Sequence, residues 1–113
     1  MNDLKSYIGK ELEVIIDRPI GSKHPEFGLE YPVNYGYIPD TINGDGEPID
    51  VYYLGEDKPV EKTKGKCIAV VHRINDDDDK LIIIPDGHPD LSDEEIKAKI
   101  DFQEKYFKSY FIR

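Results

Sequence analysis

Between residues 11 and 17 the chain alternates: Leu12, Val14 and Ile16 are apolar and the residues between them can face outward, the period of a half-buried strand. Pro19 and Gly21 end that pattern. The stretch from Pro19 to Leu29 has no sustained period, which predicts a long connection of the kind that often carries function. Tyr31, Val33, Tyr35 and Tyr37 then fall on odd positions, so an extended strand would carry three tyrosines on one face. Asn43-Gly44-Asp45-Gly46 is a turn signal, and residues 49–54 read as a strand closed by Gly55. Further turns at Asp57-Lys58-Pro59 and at Lys64-Gly65 lead to a strand over 67–74. Beyond the acidic run that ends at Asp79, residues 81–84 are short, wholly apolar and stopped by Pro85, as a buried strand would be.

One helix start is well marked. Ser92 and Glu95 make a capping box, Leu91 and Ile96 a hydrophobic staple, and Asp93 and Glu94 suit the positive end of a helix. Ile96, Ile100, Phe107 and Phe111 recur at helical spacing. This predicts a helix reaching an apolar terminus at Tyr110, Phe111 and Ile112, suited to core docking or to a subunit contact. Several short strands followed by one helix predict a mainly β, α+β protein: a small OB-like closed or curved β-barrel with a C-terminal α-helix. Residues 1–113 form one domain on this reading, with no repeat or linker to divide them.

Composition adds limits. A hydrophobic content of 38% supports a core despite 35% charged residues. The 24 acidic against 15 basic residues leave a net charge of -9, which repels nucleic acid and anionic membrane surfaces alike. The single cysteine, Cys67, lies in an apolar run and reads as a buried structural thiol. With no signal pattern or long apolar run, a cytoplasmic location is expected.

The chemistry is concentrated in carboxylates. Asp45, Glu47 and Asp50 stand within six residues, with Gly46 permitting a tight turn and Pro48 fixing the backbone. Such a cluster is either a solvated turn or a site for a divalent cation, and all-oxygen ligands favour Mg²⁺, Mn²⁺ or Ca²⁺ over zinc. The calcium-loop spacing and the glycine-rich phosphate-binding lysine motif are both absent, and His72 and His88 offer no zinc spacing. A second acidic group, Asp76 to Asp79, precedes Lys80 and the apolar strand.

Tyr31-Pro32-Val33-Asn34-Tyr35-Gly36-Tyr37-Ile38-Pro39, followed by Asp45-Gly46-Glu47-Pro48-Ile49-Asp50-Val51, resembles the family I soluble inorganic pyrophosphatases. The likeness extends more loosely from about Leu12 to Tyr106. It implies Mg²⁺-dependent hydrolysis of pyrophosphate, with Mn²⁺ as a substitute, and a homo-oligomer, since family members commonly oligomerise. Asp45, Asp50, Asp76 and Asp78 are the implied metal ligands, with Asp77 and Asp79 left open. Glu47 takes the place of the catalytic base, which is Asp in the family. Arg18, Lys80, Tyr35 and Tyr106 are the implied phosphate-side residues; Asp17 competes with Arg18 for the match, and Lys23 or His24 could add contacts. Phe107 stands where the family usually has lysine, and the family's N-terminal lysine and glutamate pair has no counterpart. A related hydrolase of another phosphoanhydride or phosphate ester, or a non-catalytic phosphate- or metal-binding module, are the alternative readings.

Overall fold

The computed structural model describes residues 4–24, 28–74 and 78–113. Six strands run in the order β1 (Glu11–Arg18), β2 (Asn34–Tyr37), β3 (Asp50–Tyr53), β4 (Lys62–Arg73), β5 (Lys80–Pro85) and β6 (Ser109–Ile112). The helix α1 (Asp93–Glu104) lies between the last two, and a short 3-10 turn over Leu4–Tyr7 precedes the first. Strand order in the sheet is β1-β2-β3-β5-β4-β6, and a further pairing of β1 with β4 closes a five-stranded barrel with β6 outside it. The mainly β, OB-like barrel expected from the sequence is therefore present. No helix among the described residues is long and apolar enough to cross a membrane.

β5 explains its own composition. Leu81 and Ile83 belong to one buried cluster and Ile82 and Ile84 to the other, so both faces of the strand are covered and alternation disappears. The cluster holding Ile82 and Ile84 also contains Leu91, Ile96 and Ile100, which dock α1 on that side. β3 pairs in parallel with β5, placing Asp50 opposite Lys80.

Two local readings are corrected. Lys64-Gly65 is not a turn but part of the 12-residue β4, which uses its first half to pair with β1 and its last four residues to pair with β6. Gly65 is needed there because a Cβ would stand 2.2 Å from the Ile84 carbonyl oxygen. The helix begins as expected, with the Ser92 side chain accepting from the Glu95 N–H and Glu95 returning the bond. It stops at Glu104, however, and Phe111 sits in β6 opposite Val71. Residues four apart share a face in a helix and in a strand alike, so the spacing does not separate the two. The free edge of β4 decides it.

Candidate active site

β-pairing gathers the polar residues at one end of the barrel. Arg18 ends β1 and is paired with Tyr35, while Asp50 opens β3 beside Lys80, the first residue of β5. Lys80 is 1% exposed. Its ammonium donates to the Tyr35 hydroxyl at 2.7 Å, to Asp50 Oδ2 at 3.0 Å and to Asp78 Oδ2 at 2.9 Å, so its three N–H bonds have three acceptors. Burial works against that charge, but Tyr35, Asp50 and Asp78 outweigh it and hold the Lys80 pKa above its ordinary value. Burial likewise raises Tyr35, against the opposing Lys80 charge, so its hydroxyl keeps its proton at neutral pH. Asp50 is also raised by burial, with Lys80 pulling the other way.

These groups line a cavity of about 630 Å³. Of the residues expected from the sequence, Arg18, Tyr35, Asp50, Asp78, Lys80 and Tyr106 all contribute to its wall. Asp17 and His24, the competing match and the possible extra contact, line it too. Nη1 of Arg18 is buried without a hydrogen-bond partner among the described residues, a donor left for an anionic ligand. Asp45 and Glu47 lie elsewhere. Both are exposed on the turn between β2 and β3, where Asp45 Oδ1 accepts from the Glu47 N–H at 3.0 Å, and neither lines the cavity. Asp76 and Asp77 fall outside the described residues. Asp79 is turned to structural work: its carboxylate bonds His72 Nδ1 and the Arg73 N–H, and its carbonyl accepts from Asn43. Asn43, 5% exposed, thereby ties the 43–46 turn to the acidic segment.

Sequence reasoning missed a second polar layer. Arg73, at the end of β4, lines the cavity and is clamped by Glu104, whose Oε1 accepts from Nε at 2.9 Å and Oε2 from Nη2 at 2.5 Å. Its guanidinium lies 3.7 Å from the Phe107 ring centroid, and its Nη1 is 3.6 Å from Asp78. Tyr52 donates to Glu104 and accepts from Gln103, while Gln103 accepts from Tyr31. The only signal in the chain is an arginine and a glutamate at otherwise apolar positions, which means little until the partner is known.

A divalent cation can be tested against these donors. Asp50 and Asp78 both bond the Lys80 ammonium, and Mg²⁺ usually takes one or two carboxylates and completes its shell with waters and substrate phosphates. Among the described residues no group of three His, Cys, Asp or Glu side chains forms a complete protein cage. The two carboxylates are oxygen donors of the kind such a cation takes, and here Lys80 neutralises them.

The sequence profile of the family described as inorganic pyrophosphatase matches residues 9–112. Relatives named inorganic pyrophosphatase include one from Rickettsia prowazekii, 35% identical over 80 residues covering 67% of this chain and 46% of that protein. Another, from Halobacterium salinarum, is 31% identical over 103 residues covering 87% of this chain and 55% of its own length. The chain thus spans about half the length of these relatives. A crystal structure of inorganic pyrophosphatase from Ehrlichia chaffeensis shares the fold, with a TM-score of 0.69 at 22% identity over 90% of this chain and 84% of that one.

Proposed function

The chain belongs to the inorganic pyrophosphatase family, and from that membership we propose that it hydrolyses inorganic pyrophosphate to two phosphates with Mg²⁺, or Mn²⁺ in its place. The observation that carries this reading is the convergence of Asp50, Asp78 and Tyr35 on the buried Lys80 ammonium inside a cavity wide enough for the substrate. Asp50 and Asp78 would hold the cation. When bound, it supplies positive charge to the phosphoryl oxygens and lowers the pKa of an attacking water.

The chain's own residues do the rest. Nη1 of Arg18 offers a buried donor without a competing acceptor among the described residues, and it binds a phosphoryl oxygen at low desolvation cost. Lys80 donates to a second oxygen by exchanging one of its carboxylate acceptors for it, and the raised pKa keeps it cationic throughout. Tyr35, whose hydroxyl accepts from Lys80, orients that ammonium and donates its own proton toward the ligand. Tyr106, 70% exposed at the cavity rim, would add its hydroxyl to the phosphate contacts from the C-terminal side. The roles of Asp45 and Asp76 as further cation ligands and of Glu47 as the base that accepts the water proton rest on the motif alone. A cytoplasmic location and assembly as a homo-oligomer belong to the same proposal; size-exclusion chromatography with light scattering reads the second.

Phosphate release from pyrophosphate is expected only with Mg²⁺ or Mn²⁺ and should fall roughly a hundredfold or more in Asp50→Asn, because the reaction depends on positioning. Full activity in excess chelator, or in Asp50→Asn, refutes the proposal.

A further inference from the structure

Inorganic pyrophosphate is two phosphoryl groups sharing an oxygen, and apart from Tyr106 the groups proposed above to hold it lie at the polar end of this cavity. The remainder is walled differently. His24 stacks on Tyr31 with centroids 6.4 Å apart, Leu29 lies beside them, and Tyr106 and Phe107 stand at the rim, 70% and 42% exposed. A volume of about 630 Å³ is within the roughly 300–1,000 Å³ that drug-sized ligands fill. Large aromatics left in water at the mouth of a cavity cost free energy unless something covers them, and their grouping there marks a recognition surface.

Phe107 is the informative member. One face of its ring covers the Arg73 guanidinium at 3.7 Å, and Glu104 fixes that guanidinium along its edge through two hydrogen bonds. The ring is therefore held as a flat platform backed by a buried cation, and it keeps substantial exposed area. A planar heteroaromatic base stacks on such a surface, while the phosphates attached to it reach inward to Arg18 and Lys80.

We propose that the cavity takes a nucleoside diphosphate, its base stacked on Phe107 and its diphosphate at the Asp50, Asp78 and Lys80 end. The inference rests on the phosphoanhydride reading given above and extends its substrate class. In the reaction, the water oxygen bonds to the terminal phosphorus and the anhydride bond from that phosphorus to the bridging oxygen breaks. The nucleoside monophosphate leaves with the bridging oxygen, inorganic phosphate forms from the terminal group, and the water proton passes to solvent.

The test is calorimetric titration of the protein with ADP and, separately, with inorganic pyrophosphate, each with Mg²⁺, alongside phosphate release from both. ADP is expected to bind at least as tightly as pyrophosphate. The ratio of ADP affinity to pyrophosphate affinity should drop roughly tenfold in Phe107→Ala, the loss of one base–aromatic stack, and return in Phe107→Tyr. ADP binding tenfold or more weaker than pyrophosphate, or an affinity ratio unchanged in Phe107→Ala, overturns the inference and leaves pyrophosphate hydrolysis standing. Failure of the parent reading has a different signature, namely binding of either ligand with no phosphate release from either.

Discussion

Replacing Glu104 by leucine isolates the energetics of the buried layer under the cavity. In the native protein Glu104 is 5% exposed and Arg73 4% exposed, and the carboxylate takes two guanidinium hydrogen bonds and one from the Tyr52 hydroxyl. Leucine removes both guanidinium acceptors that Glu104 supplies and leaves the buried Arg73 charge with the longer 3.6 Å contact to Asp78 as its remaining carboxylate neighbour among the described residues. Breaking such a pair by removing one partner costs about 3–5 kcal/mol. For a chain of 113 residues, 1 kcal/mol corresponds to about 4 °C in Tm, so Glu104→Leu should melt about 12–20 °C lower. The double variant Arg73→Leu/Glu104→Leu removes the stranded charge along with the carboxylate. It should recover most of the loss, keeping a deficit of about 1–2 kcal/mol for the Tyr52 hydroxyl, which retains only its bond from Gln103. Urea denaturation of the parent, both single variants and the double variant gives the coupling energy directly. If Glu104→Leu costs less than about 1 kcal/mol, or if the double variant is as unstable as the sum of the singles, the pair is not a buried, mutually compensating unit and the reasoning fails.

Gly36→Ala should destabilise by about 3 kcal/mol or more, because the new Cβ would lie 1.9 Å from the Ile15 carbonyl oxygen on the paired strand; a urea midpoint near that of the parent would contradict the register of β1 and β2. Cys67 is fully buried and its thiol is pushed up to about 11 by burial, so at pH 8 roughly one molecule in a thousand carries the thiolate. Iodoacetamide should label it in urea and not in the folded protein, as read by intact mass; rapid native labelling would argue against the core position. Hydrogen bonds from the Ser92 backbone and hydroxyl hold the Glu95 pKa below its usual 4.5. The stability this contributes is therefore complete above that pH and lost as pH falls through the folded value. The urea midpoints of the parent and Glu95→Gln should differ at pH 7 and draw together as the pH falls below 4.5; a gap that widens on acidification would reverse the sign.

Local chemistry is legible along the chain. Alternation at Leu12, Val14 and Ile16, the unbroken apolar run of residues 81–84 and the cap at Ser92 and Glu95 each specify an element through neighbours a few residues away. The same holds for residue type at the site: Asp50, Asp78, Lys80 and Tyr35 stand out because carboxylates, a lysine and a tyrosine are grouped in three recognisable segments. The C-terminal segment does not yield to this reasoning. Phe107 and Phe111 satisfy a helical spacing, and only the open edge of β4 at Val70, Val71, His72 and Arg73 turns residues 109–112 into a strand.

The site shows the same division. Asp45, Glu47 and Asp50 are equivalent in sequence, yet the parallel register of β3 with β5 carries Asp50 to Lys80 and leaves Asp45 and Glu47 on an exposed turn. Arg73 and Glu104 are 31 residues apart, and nothing along the chain pairs these two charges at apolar positions until α1 packs on the barrel and buries both. Periodicity, caps and residue chemistry act over a few bonds and are written along the chain. Strand register, burial and the pairing of charges act across the sheet, and they exist only once the backbone hydrogen bonds of distant segments have been matched.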